Sequence, residues 1–331
     1  MRAAVCHEKG PVEARPLVLQ NVPDHEPGAG EIRVRVSACG VCRTDLHVVE
    51  GDLPWGRKPI IPGHQVVGRV ERVGKGSTRF REGDRVGVAW LHKTCGECRC
   101  CRAGRENLCD RAQFTGQDVD GGYAELVVVP EAFAYPLPDG PSDLDIAPLL
   151  CAGLIGNRAL RLSEAKPGDA LAFIGFGGSA HVTIQVARHR GIDVYVVTRS
   201  EAHRKLARDL GAVWAGDFND APPRPFDSAV VFAPAGELIP WTLKHLSKGG
   251  TISCAGIHMS DIPGFPYADL WGERTIRSVA NLTRADGEEL LRAAAEIPIK
   301  TKTQSFPLEQ ANDALLALKE SRIDGAAVLV I

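Results

Sequence analysis

Between residues 31 and 38 apolar and polar side chains alternate. Ile32, Val34 and Val36 fall on one face and Arg33, Arg35 and Ser37 on the other, which predicts a strand with one buried side. Stretches 66–73, 84–90 and 123–129 are further short segments rich in β-branched residues. Pro62-Gly63, Gly74, Gly76, Gly83, Gly121-Gly122 and Pro130 punctuate them. Short strands at this density predict a compact, barrel-like β domain. From Ala170 the pattern changes. Apolar runs at 170–174, 194–198, 228–233 and 251–255 alternate with helix-period stretches at 179–189, 201–210 and 238–246. That alternation predicts an α/β domain with a doubly wound parallel sheet. Two amphipathic helices follow, 287–296 and 308–319, and then an apolar strand at 326–331. The pattern leaves open which domain that last strand closes.

A length of 331 residues fits about two domains. Lysine plus arginine is 39 against 41 aspartate plus glutamate, a net charge of −2. This balance excludes a nucleic-acid partner held by a general basic field. A hydrophobic fraction of 44% and a charged fraction of 24% exclude a disordered chain. No apolar run approaches the ~18–20 residues that cross a bilayer, and the N-terminal MRAAVCHEKG has no apolar core, so a cytoplasmic protein without a membrane partner is expected. The ten cysteines then call for an explanation other than disulfides.

Their spacing supplies one. Cys95, Cys98, Cys101 and Cys109 form a CxxCxxCx7C loop, with Cys100 inside it. Four thiolates on a short polar loop suit a closed, structural zinc site. The alternatives are unpaired surface thiols and a nucleic-acid-binding zinc ribbon, but the loop lacks the ribbon's widely separated pairs. A second, open site is suggested by Cys42 in CGVCRTDLH, His64 in PGHQ and Cys151 in PLLCAG, three ligands from separated segments. Spacing alone leaves this second site open, because Cys151 also reads as a core cysteine and His64 as a turn residue. Gly175, Gly177, Gly178, Ser179 and Ala180 follow an apolar strand and open a helix, the context that a GxGxxA dinucleotide turn requires. At the end of the next strand Thr198, Arg199 and Ser200, with Arg204 beyond, stand where a ribose-binding carboxylate would favour NAD. The arginines favour a 2′-phosphate, so NADP is expected ahead of NAD.

GVCRTDLH, the PGH turn, the four-cysteine loop and the glycine turn, in this order, resemble the zinc-dependent medium-chain alcohol dehydrogenases over essentially the whole chain, the bacterial and yeast-like ones above all. The resemblance implies a GroES-like β-barrel catalytic domain at 1–152 and 285–331, and a Rossmann domain at 153–284, with the nicotinamide beside the zinc in the cleft between them. It implies two zinc ions per chain. One is catalytic, on Cys42, His64 and Cys151, with Asp45 behind the histidine; the other is structural, on Cys95, Cys98, Cys101 and Cys109. Thr44 and His47 match the family's proton relay, and Arg43 a pyrophosphate contact. Trp90, with Leu53, Trp55 and Leu91, matches the substrate wall, which favours primary alcohols and their aldehydes. Gln65 departs from the glutamate often found beside the ligand histidine, which leaves the zinc more electrophilic. Gly325-Ala326 stands where many relatives have Gly-Arg. The expected activity is reversible hydride transfer between an alcohol and NADP(H), in a homodimer or homotetramer. The rivals are an NAD-dependent polyol or secondary-alcohol dehydrogenase and a non-catalytic zinc- and dinucleotide-binding redox sensor.

Overall fold

The alternating stretch at 31–38 belongs to an eleven-residue strand, Glu31–Val41, in a computed structural model that describes residues 1–256 and 259–331. Ile32 and Val34 are fully buried, as the period of two requires. Arg33, on the polar face, is buried as well, and it is held by the carboxylates of Glu71 at 2.7 Å and Glu26 at 2.8 Å. The strand changes partner along its length: Glu31 to Arg35 pair with Leu126–Pro130, and Ala38 to Val41 with Ala326–Val330. Register shifts against Gln65–Val73 fall at Arg33/Val34 and Val36/Ala38, and irregularities of this kind bend a strand. The resulting seven-stranded sheet runs Thr303–Pro307, Ala326–Val330, Glu31–Val41, Gln65–Val73, Arg85–Val88, Ala134–Pro136, with Leu126–Pro130 also on Glu31–Val41.

This sheet belongs to the first of two compact units, residues 1–151 together with 282–331. The C-terminal strand therefore closes the β unit. The strands expected at 84–90 and 123–129 are shorter or displaced, Arg85–Val88 and Leu126–Pro130. Beyond Val88 the chain leaves the ladder, and Trp90 accepts from the Thr115 N–H instead. Gly121, Gly122 and Tyr123 donate to the carbonyls of Ile61, Gly63 and Pro62. The helix expected at 308–319 opens with a 3-10 turn, Leu308–Gln310, before Ala311–Lys319. Arg2–Cys6 and Leu17–Asn21 form an antiparallel pair that the pattern did not announce.

The second unit, 152–281, holds a six-stranded, wholly parallel sheet in the order Trp214–Gly216, Asp193–Val197, Ala170–Ile174, Phe226–Val231, Leu246–Cys254, Thr275–Ser278. Ala170–Ile174 is central and fully buried, which explains its unbroken apolar sequence. The strand order reverses on either side of it, the switch point where α/β sheets bind ligands. Helix Ala152–Leu162, missed by the pattern, packs on helix Gly178–His189. Gly156 makes this approach fit, since a Cβ there would lie 1.9 Å from the Thr183 hydroxyl oxygen.

Candidate functional site

Strand pairing sets Gly40 opposite Gln65, so the residues just beyond them, Cys42 and His64, emerge side by side. Cys42 caps helix Arg43–Glu50: its sulfur accepts from the Thr44 N–H at 3.3 Å, and Asp45 Oδ2 accepts from the Cys42 N–H at 2.8 Å. Cys151 follows the 3-10 turn Ala147–Leu150, which packs on the strands that carry the other two.

The three ligand atoms of Cys42, His64 and Cys151 lie within 4.8 Å of one another. Cys42 Sγ is 3.5 Å from His64 Nε2 and 3.9 Å from Cys151 Sγ. Zinc with ordinary bond lengths and tetrahedral angles sets two sulfurs roughly 3.8 Å apart and sulfur and nitrogen about 3.6 Å apart. The spacing fits such an ion. Asp45 Oδ1 lies 2.9 Å from His64 Nδ1, with both side chains buried. A carboxylate accepts from the ring N–H, so Nδ1 is turned to Asp45 and Nε2 faces the Cys42 sulfur. The Cys151 hydrogen bond and then burial push the Cys42 thiol well above its ordinary range. Burial pulls the His64 imidazole down, but Asp45 and Cys42 outweigh it and raise it to about 10.

Three neighbours shape this pocket. Gln65 is buried, its Nε2 has no hydrogen-bond partner among the described residues, and Gly40 makes room for it. Trp90 meets the His64 ring edge-on at 5.0 Å and stacks on Phe114 at 5.1 Å. Phe114 was not anticipated, because it reaches Trp90 only through the pairing of Leu91–Lys93 with Gln113–Phe114. Leu91 itself is a core residue, 1% exposed, which removes it from the expected substrate wall. Leu53 and Trp55 pack against the same core, with the Trp55 indole N–H on the Val48 carbonyl. On the helix, Thr44 is half-buried and Arg43 exposed. His47 Nδ1 lies 2.7 Å from Asp52 Oδ2, a partner the sequence reading missed.

Cys95, Cys98, Cys101 and Cys109 also converge within 4.8 Å, with sulfur separations of 3.8 Å (Cys95–Cys101) and 3.5 Å (Cys95–Cys109). The N–H groups of Cys98 and Cys101 point at the sulfurs of Cys95 and Cys98. Backbone donors at Glu97 and Cys98 bring the Cys95 thiol down to about 6, while burial pushes the neighbouring Cys101 thiol up to about 11. Cys100 is not part of the group, and all ten cysteines are free of disulfides.

In the second unit the turn after Ile174 is made by Gly175 at φ 90°, where a Cβ would also crowd Ala233. Gly177 caps helix Gly178–His189 with no side-chain acceptor, and a Cβ on Gly177 or Gly178 would meet nothing within 4 Å. The first-turn N–H groups of a helix have no intrahelical acceptor, and a helix start without side chains over it suits a pyrophosphate. Past the next strand Thr198 is buried, its N–H on Gly216, and Ser200 caps helix Glu201–Asp209. The Arg204 fork is engaged by Glu201 and by the carbonyls of Thr198 and Arg199. Arg204 therefore braces the turn, while the exposed Arg199 has no ion-pair partner among the described residues.

Comparison with known proteins gives a consistent picture. A family profile described as alcohol dehydrogenase GroES-like domain matches residues 28–139, and one described as zinc-binding dehydrogenase matches 178–296. The chain is 50% identical to a Mycobacterium tuberculosis protein named "Probable alcohol dehydrogenase AdhA", over 100% of this chain and 97% of the other. It is 37% identical to an alcohol dehydrogenase of Geobacillus stearothermophilus, over the full length of both. Its fold superposes with TM-score 0.88 on a cobalt- and zinc-bound thermostable alcohol dehydrogenase from Pyrobaculum aerophilum, at 28% identity over 100% and 99% of the two chains.

Proposed function

The chain belongs to the zinc-dependent medium-chain alcohol dehydrogenase family, and we propose that it catalyses reversible hydride transfer between a primary alcohol, or its aldehyde, and NADP(H). The observation that carries this reading is the convergence of Cys42, His64 and Cys151, with Asp45 fixing the histidine. When bound, zinc supplies a Lewis acid for the substrate oxygen, and the dinucleotide supplies the hydride acceptor or donor.

The chain's own residues do the rest. Cys42 and Cys151 offer thiolates and His64 its Nε2 lone pair, which leaves a fourth position for substrate. The Thr44 hydroxyl accepts the substrate proton as it donates its own, and His47 takes a proton on towards solvent. Trp90, backed by Phe114, shields the reacting carbon from water and favours a flat or extended substrate. The first-turn N–H groups after Gly177 receive the pyrophosphate. Arg199 holds the 2′-phosphate, since Glu201 is already neutralised by Arg204 and Arg208. The four-cysteine loop holds a second, structural zinc.

Steady-state kinetics with NADPH and NADH, on primary, secondary and polyhydric alcohols and their carbonyl partners, test the proposal. About two zinc ions per chain and a preference for NADPH with aldehydes are expected. Turnover with NADH and polyols would favour the polyol reading. One zinc and no turnover would favour a redox sensor. Arg199→Asp should reverse the cofactor preference.

A further inference from the structure

Helix Arg43–Glu50 ends at Gly51, whose left-handed backbone (φ 95°) turns the chain back on itself. The N–H groups of Gly51 and Leu53 both donate to the His47 carbonyl, so Asp52 is folded over the last helical turn. Its Oδ2 lies 2.7 Å from His47 Nδ1. Glu50, the other carboxylate at this end of the helix, is committed elsewhere, to the Val12 N–H and to Lys319. Lys9 secures the turn by donating to the Leu53 carbonyl.

We propose that Asp52 is a positioning residue for the proton relay: it pins His47 in the tautomer that bears its proton on Nδ1 and leaves Nε2 as the base. The inference rests on the relay role proposed for His47. A carboxylate in its ordinary ionised form can only accept, so Nδ1 must be the donor and the neutral ring keeps its lone pair on Nε2. A proton arriving at Nε2 converts the imidazole to imidazolium, whose positive charge then lies against the Asp52 carboxylate. Loss of that proton to water restores the neutral ring, with no other bond made or broken. The side chains of His47 and Asp52 are 21% and 55% exposed, so the carboxylate stands on the solvent side of the imidazole. This is the arrangement in which an acid orients a histidine and balances its charge without itself taking the proton.

The test is Asp52→Ala, read in two ways and compared with His47→Gln. Nitrogen-15 spectra of histidine-labelled, cofactor-free protein should place His47 in the Nδ1–H tautomer and move it towards the Nε2–H form in Asp52→Ala. In turnover, kcat for alcohol oxidation should fall about tenfold, a part of the ~10²-fold or more that a positioned acid–base group contributes. The alcohol KM and zinc content should hold steady. If the alanine variant loses zinc, Asp52→Asn, which keeps the side chain's shape without its charge, is read for kcat in its place and should also fall severalfold. An unchanged tautomer, or a kcat within about twofold of the parent, would overturn the proposal. Absence of turnover in the parent would count against the dehydrogenase reading alone, because the spectra decide the tautomer without it.

Discussion

Asp45 uses its two oxygens for two different donors, the His64 Nδ1–H and the Cys42 N–H. Asparagine has the same size but only one acceptor, so in either orientation its NH2 faces one of those donors. We expect Asp45→Asn to fold and to lose about ten- to hundredfold in affinity for the ion on Cys42, His64 and Cys151, measured by competition with a chelator. Unchanged affinity would mean that the pair does not orient the histidine. A different histidine sets an acid limit on stability. His92 is 7% exposed, its Nδ1 has no hydrogen-bond partner among the described residues, and burial, with Lys93 adding to it, brings the imidazole down to about 4. In the unfolded chain the same group titrates near 6.5. The unfolded state therefore binds the proton first, and stability is full above pH ~6.5 and is lost as pH falls from there towards 4. The loss is on the order of 3 kcal/mol at most. Melting temperature followed from pH 7 to pH 4 should fall less steeply in His92→Gln than in the parent. Parallel curves would exclude His92 as the cause.

Among the elements, the glycines of the second unit separate folding from binding. Gly156 and Gly178 each lie on a helix of the packed pair, yet their surroundings differ. A Cβ at Gly156 drives into the Thr183 hydroxyl, so Gly156→Ala should force the two helices apart and cost about 1–3 kcal/mol. A Cβ at Gly178 enters open space, so Gly178→Ala should leave the melting temperature in place. It should nonetheless weaken dinucleotide binding, because that space is where the pyrophosphate would approach the helix. Thermal melts with and without NADPH distinguish the two outcomes, and a Gly178→Ala variant still stabilised to the full extent by NADPH would contradict the second. The parallel sheet was legible because each of its central strands is buried on both faces and so is written as an apolar run. Helix Ala152–Leu162 was not, because Gly153 and Gly156 interrupt its apolar pattern, and it packs on its neighbour through Gly156. The contact of Asp52 with His47 depends on the left-handed turn at Gly51, and that of Phe114 with Trp90 on a two-residue strand pairing. Neither leaves a periodic trace in the chain.

At the scale of the whole molecule, both ligand groups lie in the first unit, yet they stand in different relations to its core. Around Cys42, His64 and Cys151 the structure is held by the sheet and by buried neighbours such as Cys39, Val66 and the fully buried Tyr123. The loop from Cys95 to Cys109 contributes little to any core. Five of its fifteen residues are charged and five are cysteines, Leu108 is 42% exposed, and its order within the protein comes from the short helix Arg99–Arg102 and from Glu106, which is buried and bound to the Arg284 side chain and N–H. Four converging cysteines and one ion pair, with Glu106 buried but the Arg284 side chain partly exposed, cannot order such a loop without a cation between the sulfurs, because little hydrophobic surface is buried there. Graded chelation should therefore proceed in two stages. The open three-ligand site empties first, with loss of activity and little change in melting temperature. The closed four-sulfur site empties later, and only then should the melting temperature drop by several degrees and the loop become sensitive to protease. Cys101→Ser should reproduce the second stage alone, keeping the ion on Cys42, His64 and Cys151 while lowering stability. If zinc leaves both groups at one chelator concentration, or if the serine variant melts like the parent, the four-cysteine loop is not held together by metal.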